Sequence, residues 1–221
     1  MQQNNETPLA QTEIPALYDS LAPIYDSWAF FTESKSRKRA IELSGLRDGE
    51  AVLEVAVGTG LMFDQIVRRN PHGKNLGIDL SAGMLQKARE RLARNAGGHY
   101  ELRKGSALDL HVKDESIDLL MNSYMFDLLS SKDTDTALDE FVRVLKAGGR
   151  MVVVNMTHGR NRASRVYEVL SRRFPRKAGG CRAVQLADTI AQHGFEIDSV
   201  EYLQQCLFPS EIIAARKAMR P

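Results

Sequence analysis

Two carboxylates and a glycine turn are the residues of this chain best placed to do chemistry. Glu54 lies inside the apolar run Ala51-Val52-Leu53-Glu54-Val55, which continues as Ala56-Val57-Gly58-Thr59-Gly60. Asp79 closes a second run, Lys74-Asn75-Leu76-Gly77-Ile78-Asp79, about 20 residues further on. Apolar residues without alternation predict a strand buried on both faces. Leu61, Met62, Phe63, Ile66 and Val67, after the glycines, predict an apolar helical face. Strand, glycine turn and helix form the ligand-binding corner of an open α/β sheet. Glycine lets backbone approach a ligand there, and the helix start offers free N–H groups. A carboxylate at Glu54 suits a cationic ligand and repels a pyrophosphate. An acid at Asp79, ending the second strand, is placed to accept from both hydroxyls of a ribose. Gly58 and Gly60 fit the first two positions of G-x-G-x-x-G, but Phe63 holds the third. That departure speaks against a dinucleotide.

Other elements must hold these groups in place. Ile14, Leu17, Leu21, Ile24, Tyr25, Trp28 and Phe31 recur at helical spacing with Pro23 among them, which predicts two short helices. A further helix is predicted over residues 34–43, with Lys35, Arg37, Lys38 and Arg39 making its outer side basic. Ser81 is placed to cap a helix carrying Met84, Leu85, Ala88 and Leu92 on one face. Residues 100–104 and 116–123 read as the third and fourth strands. A helix capped by Thr134 or Asp135 follows, is stopped by Gly148-Gly149, and leads into a fifth strand over residues 150–155. Residues 194–203 and 210–217 read as a final pair of strands. Asp127 is the sole acid near the end of the fourth strand; it either takes a proton from a substrate or caps the next short helix. His158, after the fifth strand, is a second candidate base or a loop residue.

The run around Glu54 resembles motif I of the class I S-adenosylmethionine (SAM) methyltransferases, commonly (D/E)-x-G-x-G-x-G, with Ala56 where the first glycine stands. Gly-Ile-Asp-Leu-Ser-x-x-Met-Leu resembles the family's motif II. Tyr-Asp-Ser-Leu-Ala-Pro-Ile-Tyr-Asp resembles the N-terminal lid of the ubiquinone/menaquinone branch, and Leu-Lys-Ala-Gly-Gly-Arg-Met-Val-Val-Val the usual end of the core. The resemblance runs from Tyr18 to Lys217. It implies a Rossmann-like doubly wound, seven-stranded, mostly parallel α/β sheet in the order 3-2-1-4-5-7-6, with a helical lid. It implies SAM as cofactor and S-adenosylhomocysteine as product. Glu54, Ala56, Gly58 and Gly60 would hold the amino-acid end, and Asp79, Leu80 and Met84 the ribose side. Tyr18 and Tyr25 would close over the cofactor. Where the family has Gly-Asp-Ala for the adenine, this chain has Gly105-Ser106-Ala107, so Ser106 and Ala107 would make that contact, with Asp109 as a substitute acid. Asn122, a further expected cofactor contact, opens Asn122-Ser123-Tyr124-Met125, where nucleic-acid amino-methyltransferases carry (D/N)-P-P-(Y/F). The missing prolines disfavour a nucleobase acceptor.

Residues 156–193 form a basic helical insertion beside the substrate side. Arg160, Arg162, Arg165, Arg172, Arg173, Arg176, Lys177 and Arg182 face a single acid, Glu168, up to Arg182. Such a helix suits an anionic lipid surface at 160–182, steers an anionic substrate, or is simply a solvated face. The 221 residues suit one domain over 13–221, with a disordered tail at 1–12 and the lid at 13–45. A net charge of +2 gives no argument for nucleic acid. Cys181 and Cys206 make no metal-ligand spacing and no disulfide framework. With no leader pattern and no apolar run long enough for a membrane span, a cytoplasmic, membrane-peripheral enzyme is expected. The acceptor is expected to be small or lipid-like, a prenylated quinone ring or a phospholipid headgroup amine. A SAM-binding module without catalysis and an NAD-dependent oxidoreductase are the alternatives. Oligomeric state is not legible.

Overall fold

The computed structural model of the protein describes residues 13–95, 97–161, 169 and 181–219. Helix α1 (Ile14–Ser44) is followed by β1 (Ala51–Val55), α2 (Phe63–Arg69), β2 (Lys74–Asp79), α3 (Ala82–Asn95) and β3 (Tyr100–Lys104). Then come β4 (Ile117–Ser123), α4 (Ser131–Val144), β5 (Leu145–Met156), a short α5 (Ala187–Gln192) and the hairpin β6 (Phe195–Gln205) with β7 (Phe208–Lys217). The strands make one sheet in the order β3-β2-β1-β4-β5-β7-β6, as the sequence led us to expect. Strands β1 to β5 pair in parallel, and β7 runs antiparallel between β5 and β6. A dinucleotide-binding sheet runs in the order 3-2-1-4-5-6, so the antiparallel β7 inserted between β5 and β6 argues against that alternative.

Central strands β1 and β4 bury nearly every side chain, which is why their sequences run apolar without alternation. Val55 of β1 stands opposite Ile78 of β2 and Asn122 of β4, so three strand ends share one rim. Phe126, Leu138 and Phe141 pack under α4 on one face of the sheet. Phe63, Ile66, Leu85 and Leu92 pack under α2 and α3 on the other. Each such side chain contributes about 1.5–3 kcal/mol by leaving water.

Three expectations are corrected. The first 31-residue helix is continuous through Pro23, not two short helices and a third. A mid-helix proline costs about 3 kcal/mol, and side chains on either side of it, Asp19 and Asp26, are anchored to distant elements that hold the axis together. Helix α4 is capped by Ser130, whose Oγ accepts from the Asp133 N–H at 3.1 Å, and not by Thr134 or Asp135. Gly148 and Gly149 do not stop α4, which ends at Val144; they lie where β5 shifts register against β4, with Gly148 at φ 70°. Among the described residues no helix is long and apolar enough to cross a membrane. The tail at 1–12 and most of the basic helix, residues 162–168 and 170–180, lie outside the described residues.

Candidate active site

At the shared rim of β1, β2 and β4 lies a cavity walled by Ala56, Gly58, Asp79, Leu80, Ser81 and Met84, with Ser106 and Ala107 on one side. Helix α1 closes it with Ile14, Tyr18 and Tyr25, and Tyr124, Met125, Leu128 and Leu129 floor the far end. The carboxyl edge of an open α/β sheet is where ligands bind.

The turn after β1 owes its shape to left-handed residues: Ala56 at φ 58°, Gly58 at 56° and Gly60 at 79°. Two are glycines, which adopt this freely. Ala56 does so with a Cβ. Gly60 does not touch the cavity; a side chain there would meet Ala88 at 3.1 Å, so its role is close packing against α3. The Gly58 N–H donates to Asp79 Oδ2 at 2.7 Å, and the Ser81 N–H donates to Oδ1 at 2.8 Å. Backbone N–H groups of Gly58, Ser81 and Leu80 thereby hold the Asp79 carboxylate in place at the cavity wall. Burial raises its pKa, and the backbone donors oppose that rise.

Glu54 is 1% exposed, and its Oε2 meets no hydrogen-bond partner. Burial pushes its pKa well up, with Arg37 pulling down and Asp79 pushing further up. It lies behind the lining, not in it. Asn122 is also behind the wall, with its Nδ2 donating to Val55 O at 2.8 Å and its Oδ1 unpartnered. Its observed contact is thus a tie between β4 and β1 under the cavity floor. Ser106 lines the cavity, and its Oγ accepts from the Leu108 N–H at 3.1 Å. Asp109 is no substitute: its side chain is 70% exposed and paired with His111.

The lid explains the near-repeat Tyr18-Asp19, Tyr25-Asp26. Seven residues make two helical turns, so both tyrosines face the cavity with rings 6.1 Å apart. Each aspartate clasps the rim. Asp19 Oδ1 accepts from Ser81 Oγ at 2.5 Å and from the Gly83 N–H at 2.8 Å. Asp26 accepts from Thr59 Oγ1 at 2.6 Å and pairs with Arg91.

Neither candidate base lines the cavity. Asp127 is fully buried, caps neither neighbouring helix, and has no donor at ordinary geometry on either oxygen. Burial pushes its pKa to about 7; nearby N–H groups, the Cys181 thiol and Arg182 oppose that only in part. His158 follows β5 and stands near Glu211, away from the lining. Arg182 donates to Leu129 O at 2.6 Å, and Arg160 stacks 4.2 Å over the Tyr202 ring. Arg182 is therefore half-buried and tied into the fold, while Arg160 stays exposed over Tyr202.

Sequence reading passed over Glu33 and set Arg37 on the outer side of its helix, which the structure corrects. Both are buried on α1, with Arg37 Nη1 donating to Glu33 Oε2 at 2.8 Å. Burial raises the Glu33 pKa to about 7 despite Arg37. Their i, i+4 spacing was the available signal. Around the cavity, Glu33, Glu54, Asp79 and Asp127 thus outnumber the buried Arg37 and the half-buried Arg182. A site with surplus buried carboxylate and an unpartnered oxygen fits a ligand carrying positive charge. An ammonium or sulfonium on a nucleoside has that charge, and Asp79 fits its ribose.

Comparison with known proteins agrees. The methyltransferase domain family matches residues 52–149. A demethylmenaquinone methyltransferase of Tropheryma whipplei is 30% identical over 206 residues, covering 89% of this chain and 83% of its own. A ubiquinone/menaquinone biosynthesis C-methyltransferase of Hahella chejuensis is 32% identical over 183 residues, covering 75% and 70%. In fold, the [4+2]-cyclase SpnF superposes with a TM-score of 0.75 at 18% identity, covering 97% of this chain and 99% of its own. The chain belongs to the class I SAM-dependent methyltransferases, in the branch of the ubiquinone/menaquinone C-methyltransferases, and SAM is its cofactor.

Proposed function

We propose that the enzyme methylates a small, apolar-bodied acceptor with an ionisable hydroxyl, of which a reduced prenylated quinone ring is the best fit. The observation that carries this reading is the apolar far end of the cavity, Met125, Leu128 and Leu129 with Ile14 of the lid. Both relatives described above are named for quinone methylation. A phospholipid headgroup amine is the weaker reading, since nothing described at that end offers a cluster of cations for a phosphate. The basic segment at 160–182 would bring the enzyme to an anionic membrane where such a lipid acceptor resides.

SAM supplies a methyl group already activated by a sulfonium. The chain's own residues therefore mainly bind and align. Asp79, held by Gly58 and Ser81, would take the ribose hydroxyls. Glu54 would face the ammonium end from behind the turn, with Ser106 and Ala107 at the adenine. Tyr18 and Tyr25 exclude water from above. Asp127 would hold a proton behind the floor, and His158, set apart by its position, would serve substrate entry at most.

Calorimetric titration with S-adenosylhomocysteine, with NAD as control, tests the cofactor part. Transfer of labelled methyl from SAM to a reduced short-chain demethylmenaquinone, against phosphoethanolamine, tests the acceptor. Labelling of the quinone alone is expected. Labelling of the amine alone, or of neither with S-adenosylhomocysteine bound, would overturn the acceptor reading.

A further inference from the structure

Tyr25, Ala29, Glu33 and Arg37 follow one another at four-residue steps and so form a single stripe along α1. The stripe begins at the cavity wall with Tyr25 and ends in the protein interior. The Tyr25 hydroxyl lies 3.4 and 3.5 Å from the two carboxylate oxygens of Glu33, long for a hydrogen bond and short enough to tighten on ligand binding. Arg37 holds the far side of the same carboxylate and is itself fixed to Ala29 O at 3.1 Å. Ala29 is fully buried and adds no bulk between the tyrosine and the acid.

Resting on the acceptor reading above, we propose that Glu33 takes the acceptor's proton through the hydroxyl of Tyr25. The acceptor's O–H bond breaks and its electron pair moves into the ring. The ring carbon bonds the methyl group as the methyl–sulfur bond breaks, leaving its pair on sulfur. The proton goes to Tyr25 Oη, and that hydroxyl's own proton goes to Glu33. When the carbon later loses its hydrogen and the ring becomes aromatic again, the oxygen regains a proton. One proton is released per methyl transferred.

The surroundings suit this role. Glu33 faces Arg37, Tyr25 and Tyr18 on its own helix, Asp127 from beneath the floor, Tyr124 after β4, and Cys181. Two buried carboxylates, Glu33 and Asp127, face one another with Arg37 and the half-buried Arg182 as cations, so a proton taken up by one relieves the other. A purely structural Glu33–Arg37 pair would need no tyrosine reaching from it to the cavity.

The test uses the full enzyme with SAM and the reduced short-chain demethylmenaquinone. Glu33→Gln keeps a carbonyl for Arg37, and Tyr25→Phe keeps the ring. Each is expected to lower kcat by about 100-fold or more, and the double variant no further, because both remove one path. The rise of kcat around neutral pH should disappear in both. S-adenosylhomocysteine affinity should stay within about threefold for Glu33→Gln, less than 1 kcal/mol. Independently of turnover, the ¹³C signal of the Glu33 carboxyl should titrate near neutrality and shift in Tyr25→Phe. If Glu33→Gln does not fold, Tyr25→Phe and the ¹³C titration decide the matter. Wild-type kcat and pH profile in either variant, or a Glu33 that titrates as an ordinary carboxylate, would overturn the relay while leaving the acceptor reading intact. A wild type that binds S-adenosylhomocysteine but never methylates the quinol would sink both.

Discussion

Asp26 on the lid helix accepts the hydroxyl of Thr59, inside the glycine turn, at 2.6 Å. The same carboxylate pairs with Arg91 of α3, whose Nε donates to Thr59 O at 2.9 Å. Three elements separated by 33 and 65 residues are thus fastened at one point above the cavity.

Cutting that fastening should loosen the closed pocket without unfolding the sheet. Asp26→Ala is expected to weaken S-adenosylhomocysteine binding by about tenfold, near 1.4 kcal/mol, the scale of one charged hydrogen bond. The melting temperature of the free protein should fall only slightly, since the clasp is partly exposed. Unchanged affinity in a calorimetric titration would show that the lid contributes nothing to holding the ligand.

Asp79 works differently because it organises the turn as well as meeting the ligand. Both of its oxygens accept backbone N–H groups. Asp79→Asn would bring an amide NH₂ against one of those donors, and Asp79→Ala would leave both unmet. We expect S-adenosylhomocysteine affinity to fall by at least about 100-fold in either variant. Binding within a few-fold of wild type would remove Asp79 from the site.

How far this was legible in the sequence depends on the range of the forces involved. The succession of strands and helices and the corner at Glu54 and Asp79 follow from local apolar runs and turn residues, which one sequence displays directly, whereas the order of strands in the sheet is implied only by the family resemblance. The single helix α1 does not. Pro23 reads as a break, whereas long-range contacts such as those of Asp19 with Ser81 and Asp26 with Arg91, 62 and 65 residues away, fasten the helix on either side of it. Asp127 likewise read as a helix cap or a base, because nothing nearby in the chain reveals that it is fully buried. Asp109 looked equivalent to a family acid by position, yet its turn points it to solvent and His111. Glu33 was hidden in a stretch that looked merely charged.

Ala56 carries a measurable strain. It sits at φ 58°, where a Cβ costs about 1–2 kcal/mol. Ala56→Gly removes that cost and adds about 0.4–1 kcal/mol of unfolded-chain entropy, so a small net stabilisation remains. For a chain of this length the melting temperature should rise by roughly 1–4 °C. A lower melting temperature would mean that the methyl group packs well enough to outweigh its own strain.

Stability should fall as pH rises towards neutrality. Burial raises Glu33 and Asp127 to about 7, from ordinary values of 4.5 and 3.8. Between the ordinary range and 7 the folded protein keeps protons that the unfolded chain has released. Folding is therefore favoured most at the acidic end of that window, and each group withdraws up to about 1.4 kcal/mol per pH unit across it. Above about pH 7 both states are ionised and the loss levels off. Glu54, also raised by burial, adds in the same direction. Urea unfolding at a series of pH values measures the slope. Asp127→Asn should flatten it and gain stability relative to wild type on the alkaline side, because it removes a buried carboxylate that lacks a donor. A wild-type stability that climbs through this window, with the variant running parallel to it, would show that these carboxylates are solvated in the folded protein.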